Sequence, residues 1–377
     1  MKRLIKWNIF FLSTLIIFHG CSPKVVAPVT YNQAQPDNII LMIGDGMGLA
    51  HITAHVLQKG SDLFKDAQNV GLVQTYSADN IVTDSGAGAT AMSTGYKALN
   101  NSVGQDAKGN HRKTIMETAY EAGMKTGIVT TSSILDATPA AFYAHQDNRY
   151  YIDSIARDLM DCRVDILVGG GKQYFDGTIE GSPYNMVDFK KRGRAVSDIW
   201  DQPINQWDVS GNGKKIFFNG VESAALHSIG TDHLEYASKA ALKYLSRQNK
   251  KFFLMIEGAQ IDWASHAGKS DELFLRMESF ENAIRRVMKF VEKNKNTLLI
   301  ITADHATGGL SIIDGSEHKN MKLNFSTNGH TGTMVPIFAY GPGADLFRGV
   351  MDNTDIYKKM AMLLNLTSMP TNRVSAN

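Results

Sequence analysis

Cysteine is almost missing from this chain: Cys21 and Cys162 are the only two in 377 residues. Cys21 falls within an N-terminal processing-type sequence, which leaves Cys162 alone and excludes an internal disulfide from the mature chain. Beside Val164 and Ile166, Cys162 reads as a buried structural thiol. Stability must therefore come from a core, a metal or an oligomer. Long apolar runs are also missing. The one marked stretch, Ile9 to Phe18, is ten residues long, too short to span a bilayer. Net charge is small, since removing Lys2, Arg3 and Lys6 takes the formal charge from +2 to −1, and nothing in that balance points to nucleic acid. Internal repeats and low-complexity tracts are absent too.

What is present starts with a basic N-terminus, the short apolar run and then His19-Gly20-Cys21, an export signal over 1–21. Cys21 after Gly20 resembles a bacterial lipoprotein processing site, although Phe18 and His19 are unusual just before it. An envelope-anchored or periplasmic protein is expected, with a soluble secreted protein as the alternative. The polar residues 22–37 read as a flexible tether. With 43% hydrophobic and 20% charged residues the rest is globular, and 38–366 is expected to form one catalytic domain followed by a tail at 367–377.

Short apolar runs alternate with helix-like stretches, the pattern of an α/β fold built on a parallel sheet. The expected strands are Asn38–Ile43, Lys125–Thr130, Asp165–Val168, Phe252–Ile256, Leu298–Thr302 and Val335–Tyr340. Met277, Phe280, Ile284, Val287, Met288 and Val291 recur at helical spacing, with Glu281, Arg285 and Lys289 on another face. Residues 171–230 lose this rhythm and read as an insertion over or beside the sheet.

The segment TDSGAGATAMSTG, residues 83–95, sets Ser85 ahead of a run of very small residues. If that run is helical, the Ser85 hydroxyl lies at a helix N-terminus, where backbone N–H groups favour a phosphate. Taken alone, the segment could equally be a surface loop. In open α/β sheets ligands bind beyond the carboxyl ends of strands, and here those ends carry ligand-type residues. Asp45 follows the first strand between glycines, Asp136 and Thr138 follow the second, and Glu257, Asp262 and His266 follow Phe252–Ile256. Asp304 and His305 follow Leu298–Thr302, while His330 precedes the last strand. Asp262 and His266 are one helical turn apart, a spacing that suits a metal pair or a solvated ion pair. Mixed carboxylate and imidazole ligands suit zinc, and carboxylate with hydroxyl and water suits magnesium. Gly44, Gly46 and Gly48 complete neither a dinucleotide fingerprint nor a P-loop, and Thr83 stands where a GxSxG elbow needs glycine.

Six segments in order, NIILMIGDGMG, TDSGAGATAMSTG, LDATPAAFYAH, IEGAQIDWASH, ITADHATGG and GHTGTMVPIFAYGPG, resemble the alkaline phosphatases, metal-dependent phosphomonoesterases. The resemblance runs from Asn38 to Gly343. It implies a three-layer α/β sandwich with a central, mostly parallel sheet flanked by helices, and a homodimer acting on small phosphate monoesters. It implies two Zn2+ and one Mg2+ per subunit. Asp262, His266 and His330 would hold one zinc; Asp45, Asp304, His305 and the Ser85 oxygen would hold the other. Asp45, Thr138 and Glu257 would hold magnesium. By the same resemblance Ser85 is the nucleophile that becomes phosphoserine. Arg149, eleven residues beyond Thr138, is the phosphate clamp, aided by the Gly86 amide. Asp84 would cap the helix or orient Arg149.

Asp136 and Trp263 depart from the commonest family pairings, which are aspartate with lysine, or histidine with a second histidine or a tryptophan. Asp136 would favour water-mediated magnesium, and Trp263 removes a positive charge near the phosphate. A phosphodiesterase or nucleotide pyrophosphatase of the same superfamily is the alternative enzyme, although its usual nucleophile is threonine and it lacks the magnesium trio. A non-catalytic envelope lipoprotein that binds phosphate or metal is the alternative outside enzymes.

Overall fold

The structure is a computed structural model that describes residues 35–366 apart from 66, 199–206, 224–231 and 248. The expected export signal at 1–21, most of the expected tether at 22–37 and the tail at 367–377 lie outside the described residues. Among the described residues fourteen strands form: β1 Asn38–Gly44, β2 Asn69–Gln74, β3 Lys125–Ser133, β4 Ile166–Gly170, β5 Arg194–Asp198, β6 Lys214–Phe218, β7 Phe252–Gly258, β8 Thr297–Thr302, β9 Ala306–Thr307, β10 Leu310–Asp314, β11 Lys322–Phe325, β12 His330–Thr331, β13 Val335–Tyr340 and β14 Gly349–Asp352.

Ten of these make one sheet in the order β14-β2-β13-β8-β1-β7-β3-β4-β6-β5. β1, β7 and β8 are buried almost throughout, as strands of a parallel sheet covered on both faces must be. The sheet is parallel except at β13, which runs antiparallel to both β8 and β2. The reversal has a local cause. After β8 the chain stays at the carboxyl edge of the sheet through β9 to β12, including the hairpin β10–β11 and the pair β9–β12. β13 must then begin at that edge and run back. His330, in β12, precedes β13, yet for this reason it lies where the residues that follow β1, β7 and β8 lie.

The described part of 171–230 supplies β5 and β6, which continue the sheet in parallel at its far edge. The periodic apolar residues form the helix Ser270–Lys293, and Glu281 on its other face is buried as well. It accepts from Ser61 Oγ at 2.8 Å and Arg285 Nε at 2.8 Å and pairs with His55, so its charge is compensated inside the packing. Cys162 is buried and free, with Arg194 Nη2 3.5 Å from its sulfur.

Candidate active site

The helix Ser85–Thr94 starts at Ser85, and Asp84 caps it by accepting from the Ala87 amide at 2.9 Å. The first amides of the helix, Gly86 among them, have no intrahelical acceptor and form an electropositive end. Small residues let this end reach the strand edge. A Cβ at Gly88 would sit 3.0 Å from the Asp304 carbonyl oxygen. Ser85 is thereby held with its Oγ 3.2 Å from His305 Nε2.

Around His305 Nε2 the expected set converges, with Asp45 Oδ1 and Asp304 Oδ2 each 3.3 Å away. Asp304 Oδ1 is turned inward, accepting from the amides of Gly46 at 3.2 Å and His305 at 3.0 Å. Its Oδ2 and Asp45 Oδ1 are buried with no hydrogen-bond donor. Gly46 makes this packing possible. Its φ is +71°, and a Cβ there would lie 2.7 Å from Thr307 Oγ1 and 2.9 Å from Asp262 Oδ1.

Asp262 and His266 share the helix Gln260–His266, with Asp262 Oδ2 3.2 Å from His266 Nε2. His330 Nε2 is 3.1 Å from His266 Nε2 and 3.6 Å from Asp262 Oδ1. The second set therefore also converges, and the His330 ring stacks on His305 with centroids 3.6 Å apart.

Hydrogen bonding fixes the ring protons. His330 Nδ1 donates to the Thr83 carbonyl at 2.9 Å, and His266 Nδ1 donates to the Asn328 carbonyl. A carbonyl only accepts, so each ring carries its first proton on Nδ1 and, when neutral, turns a bare Nε2 inward; the Asp262 carboxylate beside His266 Nε2 raises the pKa of that ring. Thr307 Oγ1 donates to Asp262 Oδ1 at 2.5 Å and accepts from His305 Nδ1 at 3.1 Å, which exposes the third Nε2. Burial holds His305 at about 4, well below the usual imidazole range. Bare nitrogens facing one another and facing carboxylate oxygens repel unless a cation lies between them, so the donor set fits metal ions.

The expected magnesium trio sits at adjacent strand ends. Asp45 follows β1, whose Gly44 pairs with Gly258 of β7, and Glu257 pairs with Thr130 of β3. Thr130 donates to Glu257, and Thr138, in the short helix Ala137–Ala140, is buried with its hydroxyl left without a hydrogen-bond partner. Burial raises Glu257 to about 8, with Asp136 adding to the rise. Burial also raises Asp45 well above the carboxylate range, followed by repulsion from Asp304, Asp262, Glu257 and Asp136. Arg149 is the cation the chain itself supplies here. Burial lowers its pKa, but Asp136 and Asp84 outweigh that and hold the guanidinium charged. Its Nη2 meets Asp136 Oδ1 at 2.9 Å and its Nη1 meets Asp84 Oδ2 at 3.2 Å, so Asp84 both caps the helix and holds the guanidinium. Asp136 also accepts from the Ala137 amide at 2.7 Å. Trp263 is 41% exposed beside Asp262. Thr130, Thr307 and the Thr83 carbonyl were not among the sequence candidates; threonine in a strand has an ordinary propensity reading, and a backbone oxygen leaves no signal.

Known proteins share this arrangement of fold and sequence. The family described as Alkaline phosphatase matches residues 36–323 and 313–366. "Alkaline phosphatase 3" of Bacillus subtilis is 32% identical over 87% of this chain and 89% of its own. The Escherichia coli alkaline phosphatase is 30% identical over 87% of this chain and 86% of its own. The solved alkaline phosphatase of the Antarctic bacterium TAB5 is 35% identical, with a TM-score of 0.83 over 88% of this chain and 99% of its own. The chain is a phosphatase and belongs to the alkaline phosphatase family.

Proposed function

We propose that the protein hydrolyses phosphate monoesters through a phosphoserine on Ser85. Asp262, His266 and His330 would hold one zinc ion, Asp45, Asp304, His305 and the Ser85 oxygen a second, and Asp45, Thr138 and Glu257 a magnesium ion. When bound, such ions supply charge that lowers hydroxyl pKa values and stabilises the attacking and leaving oxygens. Ser85 Oγ bonds to phosphorus as the ester P–O bond breaks; the serine loses its hydroxyl proton and the departing ester oxygen takes one up, so that it leaves as the alcohol. Arg149 presents its planar fork to two phosphoryl oxygens, and the Gly86 amide at the helix N-terminus donates to them. Water then attacks the phosphoserine from the opposite side, which returns Ser85 and releases inorganic phosphate.

The observation that carries this reading is the meeting of Ser85 Oγ with the unprotonated His305 Nε2, Asp45 and Asp304, with Arg149 anchored to the cap of the same helix. The relative named streptomycin-6-phosphate phosphatase, from Streptomyces griseus, is 29% identical over 94% of this chain and 96% of its own, which supports a monoester as substrate. A histidine-to-aspartate variant of the Antarctic enzyme is described with magnesium bound in its M3 site, in keeping with a carboxylate-rich third site here. A homodimer exported to the envelope completes the proposal. Ser85→Ala is expected to abolish turnover and phosphoenzyme formation while metal content by elemental analysis stays near wild type. Full activity in that variant refutes the nucleophile. Faster hydrolysis of a diester than of its monoester would favour the phosphodiesterase alternative.

A further inference from the structure

The sheet has two chemically opposite ends. Carboxylates and histidines gather at its carboxyl edge, whereas the other edge carries a cleft of about 230 Å³ between the helices His233–Ser246 and Ser270–Lys293. Lys239 and Lys243 line one wall, Lys289 and Lys293 the other, each pair one helical turn apart, over a floor that includes Leu242 and Phe290. All four lysines are exposed, and none has a carboxylate partner among the described residues. The nearby Arg286 is different, since it is bound to Glu235. Glu292 is an exposed acid between Lys289 and Lys293, and Arg247 and Lys250 extend the positive charge into the loop before β7.

The chain enters the domain at this same edge. The Asp37 amide donates to the Asn296 carbonyl at 2.7 Å, just beyond the helix bearing Lys289 and Lys293. Asp37 also pairs with Lys251 at 2.8 Å, just beyond the helix bearing Lys239 and Lys243. Ser85 and its partners lie at the other end of the seven-residue β1, about 23 Å away. Asp37, near the start of the described residues, is thus held at the basic end, while Gln35 is hydrogen-bonded to Asn365.

We infer that the cleft between these two helices docks the domain on an anionic phospholipid surface, basic edge down, so that the catalytic edge faces away from the membrane. The inference depends on the four lysines and on the place where the chain enters. It does not depend on acylation of Cys21. Each lysine brought near an anionic bilayer is worth about fivefold in partitioning at low salt, and the attraction fades within a Debye length as salt rises.

The test uses the full chain with vesicles of phosphatidylcholine alone and with about 30% phosphatidylglycerol. The reading is the ratio of the two partition coefficients, in which any charge-independent contribution of the N-terminal segment cancels. Wild type should favour the anionic vesicles at least tenfold in low salt. Lys239→Gln, Lys243→Gln, Lys289→Gln and Lys293→Gln together should cut that ratio at least fivefold and leave phosphatase activity unchanged. A control quartet, Lys113→Gln, Lys190→Gln, Lys322→Gln and Lys358→Gln, removes the same charge elsewhere and should cut it less than twofold. A wild-type ratio near one, or equal losses in the two quartets, overturns the inference.

Discussion

Thr307→Val tests how the two proposed zinc sets are held, because it keeps the shape of the side chain and removes a single hydroxyl. That hydroxyl is fully buried, donates to Asp262 Oδ1 at 2.5 Å and accepts from His305 Nδ1 at 3.1 Å. It touches one ligand from each set. A hydrogen bond to a charged group contributes about 1.5–3 kcal/mol, which is about 10- to 150-fold in an equilibrium constant. Loss of an outer-shell partner of a metal ligand typically costs 10- to 100-fold in affinity or activity, a range that overlaps. Zinc binding should therefore weaken by about 10- to 100-fold, read by competition against a chelator of known affinity. Excess zinc should recover most of the turnover, because no group that meets substrate has changed. Thr307→Ser keeps the hydroxyl and should stay within about threefold of wild type. An unchanged chelator midpoint in the valine variant would show that Thr307 positions neither ligand. A loss of turnover that zinc cannot restore would place its effect elsewhere than in metal affinity.

Three further outcomes are expected. Gly46→Ala forces a side chain into φ +71° against Thr307 and Asp262 and should cost at least about 1–2 kcal/mol from the backbone alone; an unchanged urea midpoint would contradict it. Trp263→Lys should tighten competitive inhibition by inorganic phosphate severalfold, and an equal or weaker inhibition constant refutes a charge effect at this position. Burial raises the Glu281 pKa, but hydrogen bonds from His55, Ser61 and Arg285 outweigh it and hold the carboxyl down at about 2. Its folded value is depressed, so its stabilisation is complete above the ordinary carboxylate pKa and is lost as pH falls from about 4.5 toward 2. Glu281→Gln should flatten the pH dependence of thermal stability in that window, and an unaltered slope would reject the assignment.

Strand positions were legible where burial on both faces made the residues uniformly apolar, as in NIILMI and TLLIIT. β2 was not, because NVGLVQ alternates buried with exposed side chains and contains a glycine. β14 is four residues at a sheet edge, and β5 and β6 lie in a stretch whose glycines and aspartates suggested loops. The direction of β13 is a tertiary matter, since no local feature of VPIFAY encodes it. At the site, residues whose chemistry is unusual at a strand end stood out in sequence, and the structure brings Asp45, Asp304, His305 and Ser85 to one point and Asp262, His266 and His330 to another. The groups that orient them did not stand out. Thr130 and Thr307 are ordinary strand residues until their partners across the sheet are known. The burial of Glu281 was not legible either, because periodicity reports a residue's angle on a helix and not the His55 that meets it there.

The hydrogen bond from His330 to the Thr83 carbonyl ties a proposed metal ligand to the backbone two residues before the proposed nucleophile, Ser85. Coordination and nucleophile placement are thus mechanically one event: a shift of the imidazole is passed to the serine through a single short span of main chain. Kinetic losses in any His330 variant will then combine missing cation charge with a displaced nucleophile. Their separation calls for a measurement of serine geometry alone, such as vanadate affinity in the metal-loaded variant, because the rate constant sums both.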